Sequence, residues 1–158
     1  MKDANITFGE RTDLKYQITT GKESHMDVFV DDVYVGFLFA SIYHENGKPR
    51  LDHYSFRTGV AAADKFEGLG VHENLAQTKK ALMEIMLDSN HESHGDIWKR
   101  IVDNWKTRAQ DATNFVYQLT DQSEKGDVNA RKHLPREQKK LDALNAVCDK
   151  YNGAQQER

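Results

Sequence analysis

Apolar and polar positions alternate with period two through the first third of the chain. Leu14, Tyr16 and Ile18 fall on one side of Lys15 and Gln17. After a turn-forming cluster at Thr20–Ser24, Met26, Val28 and Val30 alternate with Asp27, Phe29 and Asp31. Period two is the mark of a half-buried strand. Val33–Tyr43 is almost wholly apolar and reads as a central strand buried on both faces. Gly36 inside it points to a bulge or a close backbone approach. Asp31-Asp32 and Asn46-Gly47 separate these runs, and both pairs suit tight turns. Alternation resumes from Arg50 to Phe56. None of the connections is long enough to hold a crossover helix, so the pairing is expected to be antiparallel.

The period changes after Arg57. A small-residue link at 59–70 leads into a stripe of Leu75, Thr78, Leu82, Ile85 and Met86, which predicts a helix over 72–87. Asp88–Asn90 and His94-Gly95 end it, and Asp96 suits the N-cap of the next helix. There Trp98, Val102, Trp105, Ala109, Ala112, Val116 and Leu119 recur at alternating spacings of four and three. This heptad seam is widened by Ile101 and Phe115, and it predicts a helix ending near Thr120. Pro135 suits the first turn of a last helix, whose stripe is Leu141, Leu144, Cys148 and Tyr151. The fold class expected is α+β, with an N-terminal four-stranded antiparallel β-meander over 14–57 followed by three α-helices in a helical layer over 72–151. The whole is expected to be two-layered, a single domain over 1–158, with a frayed tail at 152–158.

Composition narrows the function classes. The chain has 158 residues, of which 38% are hydrophobic and 30% charged, with seven Phe, six Tyr and two Trp. A disordered chain has few aromatic residues and a large net charge. The formal charge of −3 excludes a binder that acts through bulk positive charge. The apolar run at 33–43 is too short to span a bilayer, and Met1–Asn5 has no apolar signal segment. Cys148 is the only cysteine and has no internal partner, so the expectation is a reduced, cytoplasmic protein without membrane contact.

Four groups of residues carry candidate chemistry. The first is Lys65-Phe66-Glu67-Gly68-Leu69-Gly70, ahead of a helix. Glycines there let backbone N–H groups approach an anion, which the helix dipole favours. With the preceding hairpin ending in Leu51-Asp52-His53-Tyr54, residues 26–87 resemble the GNAT acyltransferases. That resemblance implies a further strand after the helix, and it implies that Gly68 and Gly70 hold the pyrophosphate of acetyl-CoA. Lys65 stands where the family has Arg or Gln.

The second group is His91, His94 and Asp96, a possible divalent-metal set, with His53 and His72 as further ligands if folding brings them close. Cys148 lies on an apolar stripe and reads as a core residue rather than a nucleophile. No nucleophile elbow, Walker loop or zinc-protease helix motif is present. The third group is the basic segment 125–140, in which Arg131, Lys132, Arg136 and Lys140 are candidate phosphate contacts. The fourth is an interface. Trp98, Val102, Trp105 and Leu119 are expected to face a second helix, supplied by 141–151 or by another subunit. Phe29, Phe37 and Phe39 are candidates for a sheet face without helices.

Three readings follow. The first is a small soluble interaction protein (an inhibitor, adaptor or assembly subunit) that binds a protein partner or its own copy and needs no cofactor. The second is an acyltransferase using acetyl-CoA. The third is a nucleic-acid-associated protein.

Overall fold

Alternating side chains build a meander. A computed structural model describes residues 3–16, 21–58, 65–66, 68–70, 72 and 74–153. Its strands are β1 (Ile6–Tyr16), β2 (Gly21–Val30), β3 (Val33–Glu45), β4 (Lys48–Thr58) and the short β5 (Lys65–Phe66). They lie in chain order in one sheet, each antiparallel to the next. The turns at Asp31-Asp32 (φ 50° and 65°) and Asn46-Gly47 (φ 53° and 75°) are left-handed at both central residues. That geometry matches the right-handed twist of the flanking strands. Asn5 holds the first of these turns: its N–H donates to Asp31 Oδ1 at 3.1 Å, and the Asp31 N–H donates to the Asn5 carbonyl at 2.9 Å.

The four-stranded meander is present, with two corrections. The first strand is Ile6–Tyr16 rather than 14–18, and Ile18 lies outside the described residues. The mixed run Ile6–Asp13 does not alternate cleanly, because a bulge between Phe8 and Arg11 breaks the period. The added strand, β5, is too short to show a period.

The register defines two faces. Met26 pairs with Leu38, Leu38 with Phe56, and Phe56 with Phe66, so all four share the first face, where they are buried. Gly36 explains itself by close approach, since a Cβ there would stand 2.0 Å from the Arg57 carbonyl oxygen. It also lies at a bulge, where the register skips between Val28 and Phe29. The expectation that β3 is buried on both faces fails: Leu38 and Ala40 are buried, whereas Phe37 and Phe39, which alternate with them, are half-buried.

The chain divides into two compact units, the described residues up to Ile101 and Val102–Gly153. In the first unit, α1 (Leu75–Leu87) is capped by Asn74, whose side chain accepts from the Gln77 N–H at 2.9 Å. Thr78, Leu82, Ile85 and Met86 are its buried stripe. Lys79 Nζ of α1 lies 4.7 Å from the Phe8 ring centre. The next helix, α2 (His94–Glu124), starts in this unit with buried Ile97, Trp98 and Ile101. Trp98 Nε1 donates to the Met86 carbonyl at 2.9 Å, and His94 Nδ1 donates to that of Ile85 at 2.8 Å. These two bonds satisfy carbonyls that the end of α1 leaves unpaired. The Ser93 carbonyl accepts from the Ile97 N–H at 3.1 Å, so the helix begins before Asp96. Asp96 is therefore a first-turn acid near the positive end of the dipole, not the N-cap.

The second unit joins the rest of α2 to α3 (Val128–Tyr151). The Gly126 N–H donates to the Ser123 carbonyl at 3.1 Å, and the Asp127 N–H to that of Gln122 at 3.0 Å. This paired closure is a Schellman turn. Asp127 also caps α3 by accepting from the Ala130 N–H at 3.1 Å. Consequently α2 runs past Thr120, and Pro135 lies inside α3 rather than in its first turn. The buried stripe of α3 is Ala130, Leu141, Leu144, Val147 and Tyr151, with Val147 in place of the half-buried Cys148. Of the tail expected at 152–158, residues 154–158 lie outside the described residues. No helix among the described residues is long and apolar enough to cross a membrane.

Candidate functional site

The second face of the sheet gathers aromatic side chains that alternation turns away from the buried one. Phe29 on β2 and Tyr34 on β3 meet edge to face, with ring centres 6.0 Å apart. Phe37 and Phe39, two residues apart on β3, do the same at 6.3 Å. Arg57 on β4 lies opposite Phe37 in the register, and its guanidinium carbon stands 5.0 Å from the Phe39 ring centre. All five side chains are half-buried, so the rings shield one another and still present area to solvent. Four residues back along β4, His53 lies opposite Ser41, and its Nδ1 is 2.8 Å from Asp52 Oδ2. Ser55, between His53 and Arg57 on the same face, is buried, with its hydroxyl unpaired. The face therefore combines rings, a cation and hydrogen-bonding groups, a composition suited to holding another surface. Phe29, Phe37 and Phe39 were expected here. Tyr34 and Arg57 were not, because single residues in a mixed run carry no signal for which face they join.

The glycine motif sits differently from the acyltransferase pattern. A Cβ on Gly68 would lie 2.8 Å from Phe66 Cζ and 2.9 Å from Ser93 Oγ, so tight packing requires this glycine. Gly70 has φ +85°, and His72 Nε2 donates to the Leu69 carbonyl at 2.8 Å across this turn. The helix itself begins at Leu75, behind the Asn74 cap, and α1 is followed by α2 rather than by a strand. Glu67 lies outside the described residues.

The candidate metal ligands do not converge. His94 is fully buried, with Nδ1 on the Ile85 carbonyl and Nε2 unpaired. His91 Nδ1 accepts from the Ser93 N–H at 3.1 Å, and Asp96 is exposed, with Arg100 3.3 Å away. No group of three or more metal-ligating side chains is found among the described residues. The Cys148 thiol is pushed above its usual range, mainly by desolvation, which keeps it protonated and poorly nucleophilic at neutral pH.

The chain itself buries Trp98, Val102, Trp105 and Leu119. Trp98 belongs with the end of α1 through its bond to Met86. Trp105 meets Tyr151 of α3, with ring centres 5.8 Å apart, so 141–151 supplies the second helix at that point. These side chains are core and offer no free surface to a partner. Arg131, Lys132, Arg136 and Lys140 are all exposed on α3. A cavity of about 890 Å³ runs along α1, lined by Lys79, Met83, Leu87 and Asp88 among others.

No protein family, curated protein or solved structure matches this chain.

Proposed function

We propose that this protein works by binding another macromolecule, as an inhibitor, adaptor or assembly subunit, through the second face of its sheet. The observation that carries this reading is the half-exposed cluster of Phe29, Tyr34, Phe37 and Phe39 with Arg57 over one ring. Scattered apolar side chains on a surface are ordinary, but a contiguous aromatic patch marks a place where a partner removes area from water. Tyr and Arg are also among the residues that dominate binding energy. The partner is a protein or a second copy of this chain.

Native mass spectrometry of the protein purified from its source, with a photo-reactive phenylalanine analogue at position 37, tests the reading. Wild type is expected as a dimer or with a bound protein, and the crosslink at 37 is expected to capture that partner. Phe37→Asp is expected to give a bare monomer with an unchanged circular-dichroism spectrum. A bare monomer from wild type with no crosslink overturns the reading. Millimolar acetyl-CoA is expected to leave the thermal midpoint unmoved. A ligand at a hundred times its Kd would add about 2.7 kcal/mol, and a shift of that size would favour the acyltransferase reading instead.

A further inference from the structure

We infer that the outward face of α3 binds the phosphate backbone of double-stranded nucleic acid. Asp127 starts the helix well before Pro135, and this places the basic segment on one continuous helical surface. Lys132, Arg136 and Lys139 follow at spacings of four and three, so they form one stripe. It is centred about a third of a turn away from the buried stripe of Ala130, Leu141, Leu144, Val147 and Tyr151. All three cations are exposed, and none has an ion-pair partner among the described residues. Two neighbours are already engaged. Lys140 Nζ lies 3.3 Å from Glu137 Oε1, and Arg131 Nη2 donates to the Ser123 carbonyl at 3.2 Å. Lys139, of the same basic segment, therefore joins Lys132 and Arg136 as a principal contact.

Charge complementarity selects the occupant. From Lys132 to Lys139 the helix rises about 10 Å at 1.5 Å per residue. A duplex carries one negative charge per roughly 1.7 Å of axis, so about six phosphates fall within that length. The stripe contains no aromatic side chain on which an unpaired base can stack, and this favours duplex over single strand. A protein interface would have apolar anchors at its centre and few lysines. A membrane-inserting helix needs an exposed apolar face, and the apolar stripe of α3 is buried. The contacts are to phosphates only, so the binding is independent of sequence.

The test is fluorescence anisotropy of a labelled random-sequence DNA duplex at stepped salt. Three neutralised phosphates give a slope of log K against log salt of about −2.7, or about 40-fold weaker binding for each fourfold rise in salt. The triple variant Lys132→Ala, Arg136→Ala, Lys139→Ala is expected to lose binding while keeping its helical spectrum. The double variant Lys132→Arg, Lys139→Arg keeps all three charges and is expected to retain binding, which separates charge from folding. Lys80→Ala, on α1, is expected to bind as wild type does. No binding at low salt overturns the inference. So does a triple Ala variant that binds normally, or a protein that binds phosphatidylserine vesicles and ignores the duplex.

Discussion

Trp105 has no exposed area, and its ring meets that of Tyr151 at a tilt of 42°. Truncating a packed aromatic removes its burial and leaves a cavity. Trp105→Ala is therefore expected to destabilise the protein by about 3–5 kcal/mol, read from urea denaturation. The partner ring lies in the same chain, so the loss is expected to be the same at every protein concentration. A loss under about 0.5 kcal/mol would mean an exposed site. A loss that varied with concentration would place the second ring in another subunit. His94 shows the same local logic in a polar residue. Its Nδ1 proton has a carbonyl to bond, so burial of the ring is tolerated at a position that a metal-ligand pattern also fits.

Pro135 has no N–H to offer the carbonyl one turn earlier in α3 and crowds that carbonyl as well. Removing it is expected to strengthen the helix. Pro135→Ala should raise stability by about 1–3 kcal/mol, measured as an increase in the denaturation midpoint without a change in slope. A loss of stability would mean that the proline ring is needed for packing. The helix tolerates this residue because its start is secured elsewhere, by the Asp127 side chain on the Ala130 N–H and by the turn that ends α2. Lys125 adds a surface bond in that last turn. Asp121, whose carboxylate accepts from Lys125 Nζ at 2.8 Å, raises its pKa above the ordinary lysine value.

The whole chain carries a formal charge of −3, yet α3 has an uncompensated basic stripe and the sheet an aromatic one. The sheet patch belongs to the first compact unit and the basic stripe to the second. The two proposed activities are therefore expected to be separable. Phe37→Asp should abolish association with a protein partner or second copy and leave duplex binding within about twofold of wild type, a difference of roughly 0.4 kcal/mol. The Lys132, Arg136, Lys139 triple Ala variant should do the reverse. Loss of both activities in either variant would point to one shared surface or to unfolding, which circular dichroism separates.

Period and punctuation make much of the fold legible in the sequence itself. The alternation at 26–30, Asn46-Gly47 and the stripe Thr78, Leu82, Ile85, Met86 each follow from local chain geometry, and each is found as expected. Helix limits were less legible. Polar residues at 120–135 fit loop or solvated helix equally well, and paired hydrogen bonds at Gly126 and Asp127 decide for helix. The candidate site was legible only in part. Spacing alone puts Phe37 and Phe39 on one face, whereas Phe29, Tyr34 and Arg57 join them through strand register. Register depends on contacts between residues distant in the chain, and so does the inward turn of Trp105 toward Tyr151. A local pattern specifies which side chains share a face. Only tertiary packing decides which face is covered, because that depends on where the other elements come to rest.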